Sequence, residues 1–144
     1  MRLVHGTCVE IEGVGVLIIG PPGAGKSDLA LRLLDADARL VADDYLNMEA
    51  SDGVLVAVPP PAIAGMLEVR GLGIVRLPHL ERCRIGLCVE LIDAGDVPRL
   101  PAKSTATYEG IEIPRLALAA FEVSSAAKVK LAARAVRDDI VLTE

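Results

Sequence analysis

Val14-Gly15-Val16-Leu17-Ile18-Ile19-Gly20-Pro21-Pro22-Gly23-Ala24-Gly25-Lys26-Ser27 is the stretch on which the reading of this chain turns. Its opening run, Val14–Ile19, is short, β-branched and continuously apolar, the pattern of a strand buried on both faces. Gly20–Ser27 then fits G-x-x-x-x-G-K-[ST] at every required position. Glycines let the backbone turn tightly and aim successive N–H groups inward at phosphate oxygens. The positive end of a following helix adds to that attraction. Lys26 can reach the β- and γ-phosphates, and the Ser27 hydroxyl can coordinate Mg²⁺. From Lys26 onward, Leu29, Ala30, Leu31, Leu33 and Leu34 suit an amphipathic helix that ends before Arg39. Strand, glycine loop and helix in this order predict nucleotide binding by Gly20, Pro21, Pro22, Gly23, Ala24, Gly25, Lys26 and Ser27.

Working outward, Thr7–Glu12 alternates weakly, and Glu12-Gly13 predicts a hairpin turn into Val14–Ile19. On the other side, Arg39–Ala42 is a short apolar strand closed by Asp43-Asp44. The helix between them should return this segment as a neighbouring strand, with both carboxylates near the loop, where α/β folds hold their ligands. One acid could hold Mg²⁺ through water while the other accepts a proton from an attacking hydroxyl. An Asp-Asp pair on its own is an ordinary solvated turn, and Asp93, closing the apolar run Ile85–Ile92, is a rival for the metal-holding role.

Further β segments are expected at Tyr45–Met48, Val54–Val58, Leu67–Val69, Ile74–Leu77 and Ile85–Ile92, with Pro59-Pro60-Pro61 as a loop. Glu112-Ile113-Pro114 should close the sheet region. Leu116, Ala120, Val123, Ala127 and Leu131 recur at helical spacings, which predicts a helix over 116–136 with Ser124-Ser125 in its middle. The sum is an α/β fold: a single domain over residues 1–144 with a β-rich mixed central sheet and flanking helices.

Composition narrows the function classes. Hydrophobic residues make up 52% of the 144, and charged residues 24%, which excludes intrinsic disorder. Aromatics are 2% (Tyr45, Tyr108, Phe121) and the net charge is −5, so neither a stacking platform nor a basic footprint for nucleic acid is present. The three cysteines, Cys8, Cys83 and Cys88, have no CxxC spacing and read as small buried hydrophobes in a reducing compartment. No apolar run reaches the roughly 18 residues of a membrane span. Glu10 and Glu12 interrupt any signal-peptide pattern, so a cytoplasmic location is expected.

The segment Met66–Val75 alternates Glu68 and Arg70 on an apolar strand before Gly71-Leu72-Gly73, where glycines permit close backbone approach. By itself this is a surface ion pair and a turn. Together with the other motifs it resembles the catalytic domain of the HPr kinase/phosphorylase family, over roughly residues 5–100. That family shows a histidine-glycine pair before the first strand, a Walker A loop, Val-Ala-Asp-Asp, and a signature close to Glu-Ile-Arg-Gly-Leu-Gly. The counterparts here are His5-Gly6, Gly20–Ser27, Val41–Asp44 and Glu68-Val69-Arg70-Gly71-Leu72-Gly73, with valine for isoleucine.

The resemblance implies an ATP- and Mg²⁺-dependent kinase acting on a serine of HPr, the phosphocarrier of the sugar phosphotransferase system. It implies phosphate binding by Lys26, metal binding by Ser27 and Glu68, and proton acceptance by Asp44; of the acidic pair this leaves Asp43 for the metal-holding role. His5 and Arg99 match functional residues of the family; His79 matches none and reads as a loop histidine. A hexamer is also implied, as is a form lacking the family's N-terminal domain. The family's arginine- and proline-rich loop is here only Ile113-Pro114-Arg115-Leu116, so kinase activity is expected to outlast the reverse phosphorylase reaction. Two other readings stay open. A small-metabolite kinase would need an arginine-rich lid, for which the middle of the chain offers only Arg76, Arg82 and Arg84; a nucleotide-sensing interaction module would bind ATP without transferring phosphate.

Overall fold

The short apolar runs become strands of one large sheet. In the computed structural model, which describes residues 2–137, the strands are β1 (Arg2–His5), β2 (Thr7–Ile11), β3 (Val14–Ile19), β4 (Arg39–Ala42), β5 (Tyr45–Ser51), β6 (Val54–Val58), β7 (Met66–Val69), β8 (Gly73–Arg76), β9 (Cys83–Leu91), β10 (Thr105–Tyr108) and β11 (Ile111–Leu118). Two helices, α1 (Lys26–Asp35) and α2 (Ser125–Val136), complete the mixed α/β architecture. Nine strands form a curled mixed sheet in the order β1-β5-β6-β9-β3-β2-β4, with β11 added in parallel to β9 and β10 antiparallel to β11. The hairpin β7–β8 is a separate two-stranded sheet.

The sheet is buried on both faces. Val16 and Ile18 of β3 point into a core shared with Leu29, Ala30 and Leu33 of α1 and Val129, Ala132 and Ala133 of α2. Leu17, between them, joins the opposite core with Cys8, Val41, Leu46, Met48, Leu55 and Cys88, which the curl of β5 and β6 closes. Each fully buried leucine or isoleucine contributes about 1.5–3 kcal/mol relative to exposure. Along β9 the register to β3 shifts between Gly15 and Val16, so Ile85 faces one core and Leu87 the other. Such a bulge is the means by which a strand of period two can change faces. Gly15 is required there, because a Cβ would lie 2.3 Å from the Arg84 carbonyl oxygen.

Three expectations need correction. β4 is not the neighbour of β3: β2, folded back by the Glu12-Gly13 turn, takes that place and pairs antiparallel with both. Glu112-Ile113-Pro114 does not end the sheet but lies inside β11. Pro114 is tolerated because it faces Thr105 at a position where β10 needs no donor, the Arg115 N–H bonding the Ser104 carbonyl at 2.9 Å instead. The last helix begins at Ser125 rather than at Leu116, since the backbone of Arg115–Leu118 is committed to the ladder with β9. Val123, assigned to the apolar stripe by spacing, is fully exposed, as is half of Leu131. In α1, Leu31 likewise faces solvent rather than the core.

Candidate functional site

β3, β9 and β11 run parallel, and β4 runs with them because β2 reverses direction twice over. Their carboxyl ends therefore share one edge, where open α/β sheets bind ligands. β3 leads into the loop Gly20–Gly25 and then α1, as the sequence predicts. Gly25 starts the helix at φ +100, and a Cβ there would come within 2.7 Å of the Ala120 Cβ and the Phe121 ring. Only glycine fits both the conformation and the space. The buried Lys26 ammonium folds back on the loop, donating to the carbonyl oxygens of Gly20 at 2.8 Å and Pro21 at 3.2 Å.

Asp43 closes β4 and is buried. The Ser27 hydroxyl donates to its carboxylate, at 2.9 Å from Oδ1 and 3.1 Å from Oδ2. Thr7, wholly buried at the head of the interposed β2, donates to Oδ1 at 2.8 Å. Sequence reading missed Thr7, whose neighbours along the chain carry no signal of this contact. Among the described residues Asp43 forms no ion pair, and no set of three metal-ligating side chains gathers anywhere. A buried carboxylate flanked by hydroxyls and lacking a cation is an all-oxygen donor set suited to Mg²⁺, which takes one or two protein ligands and fills the rest with phosphate and water.

Asp44, next in the chain, is exposed to solvent. The Tyr45 N–H bonds the Asp43 carbonyl at 2.8 Å across Asp44, which sits at φ 72. A three-residue turn with positive φ at a non-glycine centre is strained, by about 1–3 kcal/mol, and such strain is held where the surroundings fix it. Here the Gly6 N–H bonds the Asp44 carbonyl at 3.0 Å, and His5 Nε2 lies 3.3 Å from Asp44 Oδ1. The His5 ring packs on Tyr45, its partner in the β1–β5 register, at 5.0 Å between centroids. Thus His5, Ser27, Asp43 and Asp44 converge, with Lys26 alongside.

The remaining sequence-predicted residues form no hydrogen bond or ion pair with this cluster among the described residues. Glu68 is exposed on β7, whose Leu67 is buried and which packs on α1. Val69, Arg70, Gly71, Leu72 and Gly73 form the tip of that hairpin. The Leu77 N–H to Gly65 carbonyl bond of 2.7 Å closes the base of the hairpin, and the Leu80 N–H to Leu40 carbonyl bond of 2.8 Å ties the following segment to β4. Asp93 is exposed beyond the end of β9, and Ser27 bonds Asp43 rather than Asp93. Arg99 is exposed on the following loop. His79 packs against Gly65 and bridges to Leu40, a structural position.

The cysteines are free and buried. Burial above all, then the charge of Cys83, pushes the Cys8 thiol well up. Burial first, and then Glu10, raises Cys83 to about 11; burial first, against an opposing Arg115, raises Cys88 to about 11. These thiols are protonated and unsuited to nucleophilic work.

A glycine-rich loop with a buried Lys, a Ser–Asp pair and an exposed Asp–His pair at one strand edge defines the class: a mixed α/β protein with a polar cluster at the carboxyl ends of its parallel strands. The sequence model of the HPr Serine kinase C-terminal domain matches residues 1–137, and the chain belongs to that family. It is 48% identical over 77 residues to the HPr kinase/phosphorylase of Clostridium novyi, covering 54% of this chain and 25% of that protein. Against the HPr kinase/phosphorylase of Shouchella clausii the figures are 44% over 96 residues, 61% and 31%. The chain thus spans about a quarter to a third of the length of these relatives. The solved HPr(Ser) kinase/phosphatase of Coxiella burnetii shares the fold, with a TM-score of 0.87 at 24% identity over 96% of this chain and 92% of that one. No helix among the described residues is long and apolar enough to cross a membrane.

Proposed function

We propose that this chain is a cytoplasmic protein kinase that transfers the γ-phosphoryl group of ATP to a serine of HPr, acting as a homo-oligomer, hexameric by resemblance. The observation that carries the reading is the convergence, at one strand edge, of Lys26 on its loop, the Ser27–Asp43–Thr7 cluster and the exposed Asp44–His5 pair. Family membership supports HPr as the acceptor and ATP as the donor.

In this mechanism the loop N–H groups hold the β- and γ-phosphates, and Lys26 exchanges its carbonyl partners for phosphate oxygens. Ser27 and Asp43 would hold Mg²⁺, with Glu68 approaching from its hairpin; the ion supplies neutralisation of phosphate charge. Asp44, oriented by His5, holds the acceptor hydroxyl in line. The serine oxygen forms its bond to the γ-phosphorus as the bond to the bridging oxygen breaks, its proton passes to Asp44, and ADP leaves. Positioning matters more than basicity, because a loose transition state asks little of the nucleophile. Arg115, in the shortened segment before the last helix, is held by Glu90, Nε to Oε1 at 3.0 Å, and by Ser104. The shortness of the segment, rather than these contacts, is what supports a weak or absent reverse reaction.

Mass spectrometry of HPr incubated with this protein, Mg²⁺ and ATP tests the proposal, with serine-to-alanine HPr as the control. One added phosphate on wild-type HPr alone is expected. ATP binding with no phosphate on HPr refutes the acceptor assignment.

A further inference from the structure

We infer that the nucleoside half of the triphosphate lies in the pocket of about 370 Å³ bounded by β11, the first turns of α2 and the loop 94–101. This deepens the preceding proposal and rests on its phosphate-loop reading.

The direction of the bound triphosphate follows from what already occupies the strand edge. On one side of β3 stand Thr7, Asp43 and Asp44, so the reacting phosphate belongs there. The nucleoside must leave the loop on the opposite side, where β9 and β11 end in parallel with β3. β11 lies two strand spacings from β3, or ~10 Å, a reach that a triphosphate chain covers.

Both walls of the pocket start at the phosphate loop. A Cβ on Gly20 would meet the Leu91 Cβ at 3.2 Å, and the chain runs from Leu91 into the 94–101 wall. Ala120 and Phe121 pack on Gly25, and the next residue, Glu122, lines the pocket. The pocket therefore adjoins the loop through Leu91 on one wall and Ala120-Phe121 on the other.

The lining matches a nucleoside. Its volume falls within the ~300–1,000 Å³ typical of small-molecule sites. Val97, Pro101 and Leu116 give aliphatic walls for the faces of a base. Glu122 and Lys128, paired at 3.2 Å, set an acceptor and a donor on the rim for ribose hydroxyls. Arg99 lines the same pocket and forms no ion pair among the described residues, leaving its guanidinium for the ligand. Arg99 then acts on the nucleotide side of the reaction rather than at the serine.

The test compares calorimetric binding of magnesium ATP and magnesium tripolyphosphate, which has the phosphates without the nucleoside, to the full chain and to Val97→Trp. Wild type should prefer ATP by about tenfold or more, and Val97→Trp should lose that preference while its tripolyphosphate affinity stays within about twofold. Equal affinities in wild type, or a preference that survives Val97→Trp, overturns the pocket assignment. A photoreactive azido analogue of ATP gives a second readout that needs no variant. Labelling should map to 94–101 or 116–128, and labelling confined to 43–48 or 66–76 overturns the assignment. The underlying reading fails differently: neither compound binds, or Lys26→Ala leaves both affinities unchanged.

Discussion

Replacing Thr7 by valine swaps one hydroxyl for a methyl group at a position with no solvent exposure, keeping shape and apolar area nearly constant. What is lost is one donor, 2.8 Å from Asp43 Oδ1. Hydrogen bonds to a charged partner contribute about 1.5–3 kcal/mol, and no water can take the vacated place without opening the head of β2. Asp43 keeps the Ser27 hydroxyl at 2.9 Å, so the carboxylate is left partly satisfied, and about 2 kcal/mol is expected. For a chain of this size that is a fall in Tm of roughly 4–8 °C. Urea unfolding followed by circular dichroism should show a lower midpoint with an unchanged slope. In a double-mutant cycle with Asp43→Ala the two costs should miss additivity by about 1 kcal/mol or more. A Thr7→Val loss below about 0.5 kcal/mol, with additive costs in the cycle, refutes the buried Thr7–Asp43–Ser27 cluster.

Lys26→Ala and Asp44→Ala should each abolish transfer to HPr, but only the first should weaken ATP binding; equal loss of affinity in both would mean that Asp44 is misassigned. Gly25→Ala should cost about 1–3 kcal/mol of stability, because alanine at φ +100 is strained and its Cβ meets Ala120 and Phe121; an unchanged thermal midpoint contradicts this. Cys83 and Cys88 ionise near 9 once the chain opens but only at about 11 in the fold. Their contribution is therefore complete below about 9 and is lost as pH rises toward about 11, so urea midpoints should fall across that window, and less steeply in a Cys83→Ala, Cys88→Ala variant.

The strand–loop–helix around Gly20–Ser27 and the strand ending at Asp43-Asp44 were legible because their signals are local: continuous apolar runs cut by glycine or by acids. Hairpin β2–β3 was legible for the same reason. The β11–α2 region was not, since Leu116 and Ala120 satisfy a helical period that the pairing of Arg115–Leu118 with β9 overrides. β10 escaped notice because Thr105–Tyr108 is only four residues long, so that its alternation, with Ala106 and Tyr108 toward the core, is too short to read without its pairing with β11. Thr7 escaped too: a lone threonine at the start of a strand acquires meaning only when a residue 36 positions away folds onto it. The interposition of β2 between β3 and β4, unforeseen from the sequence, is what places it there.

The exposure of Asp44 has a further consequence. Two-thirds of its side chain is open to solvent, and His5 beside it is nearly half open. On the proposed reading, this chain builds only one bank of the reaction chamber, and the arriving protein supplies the other. Until it does, bulk water stands where the serine will stand. Selectivity against idle hydrolysis is then a property of the encounter rather than of a lid, so the rate of ATP loss without an acceptor measures how much of the chamber the partner brings.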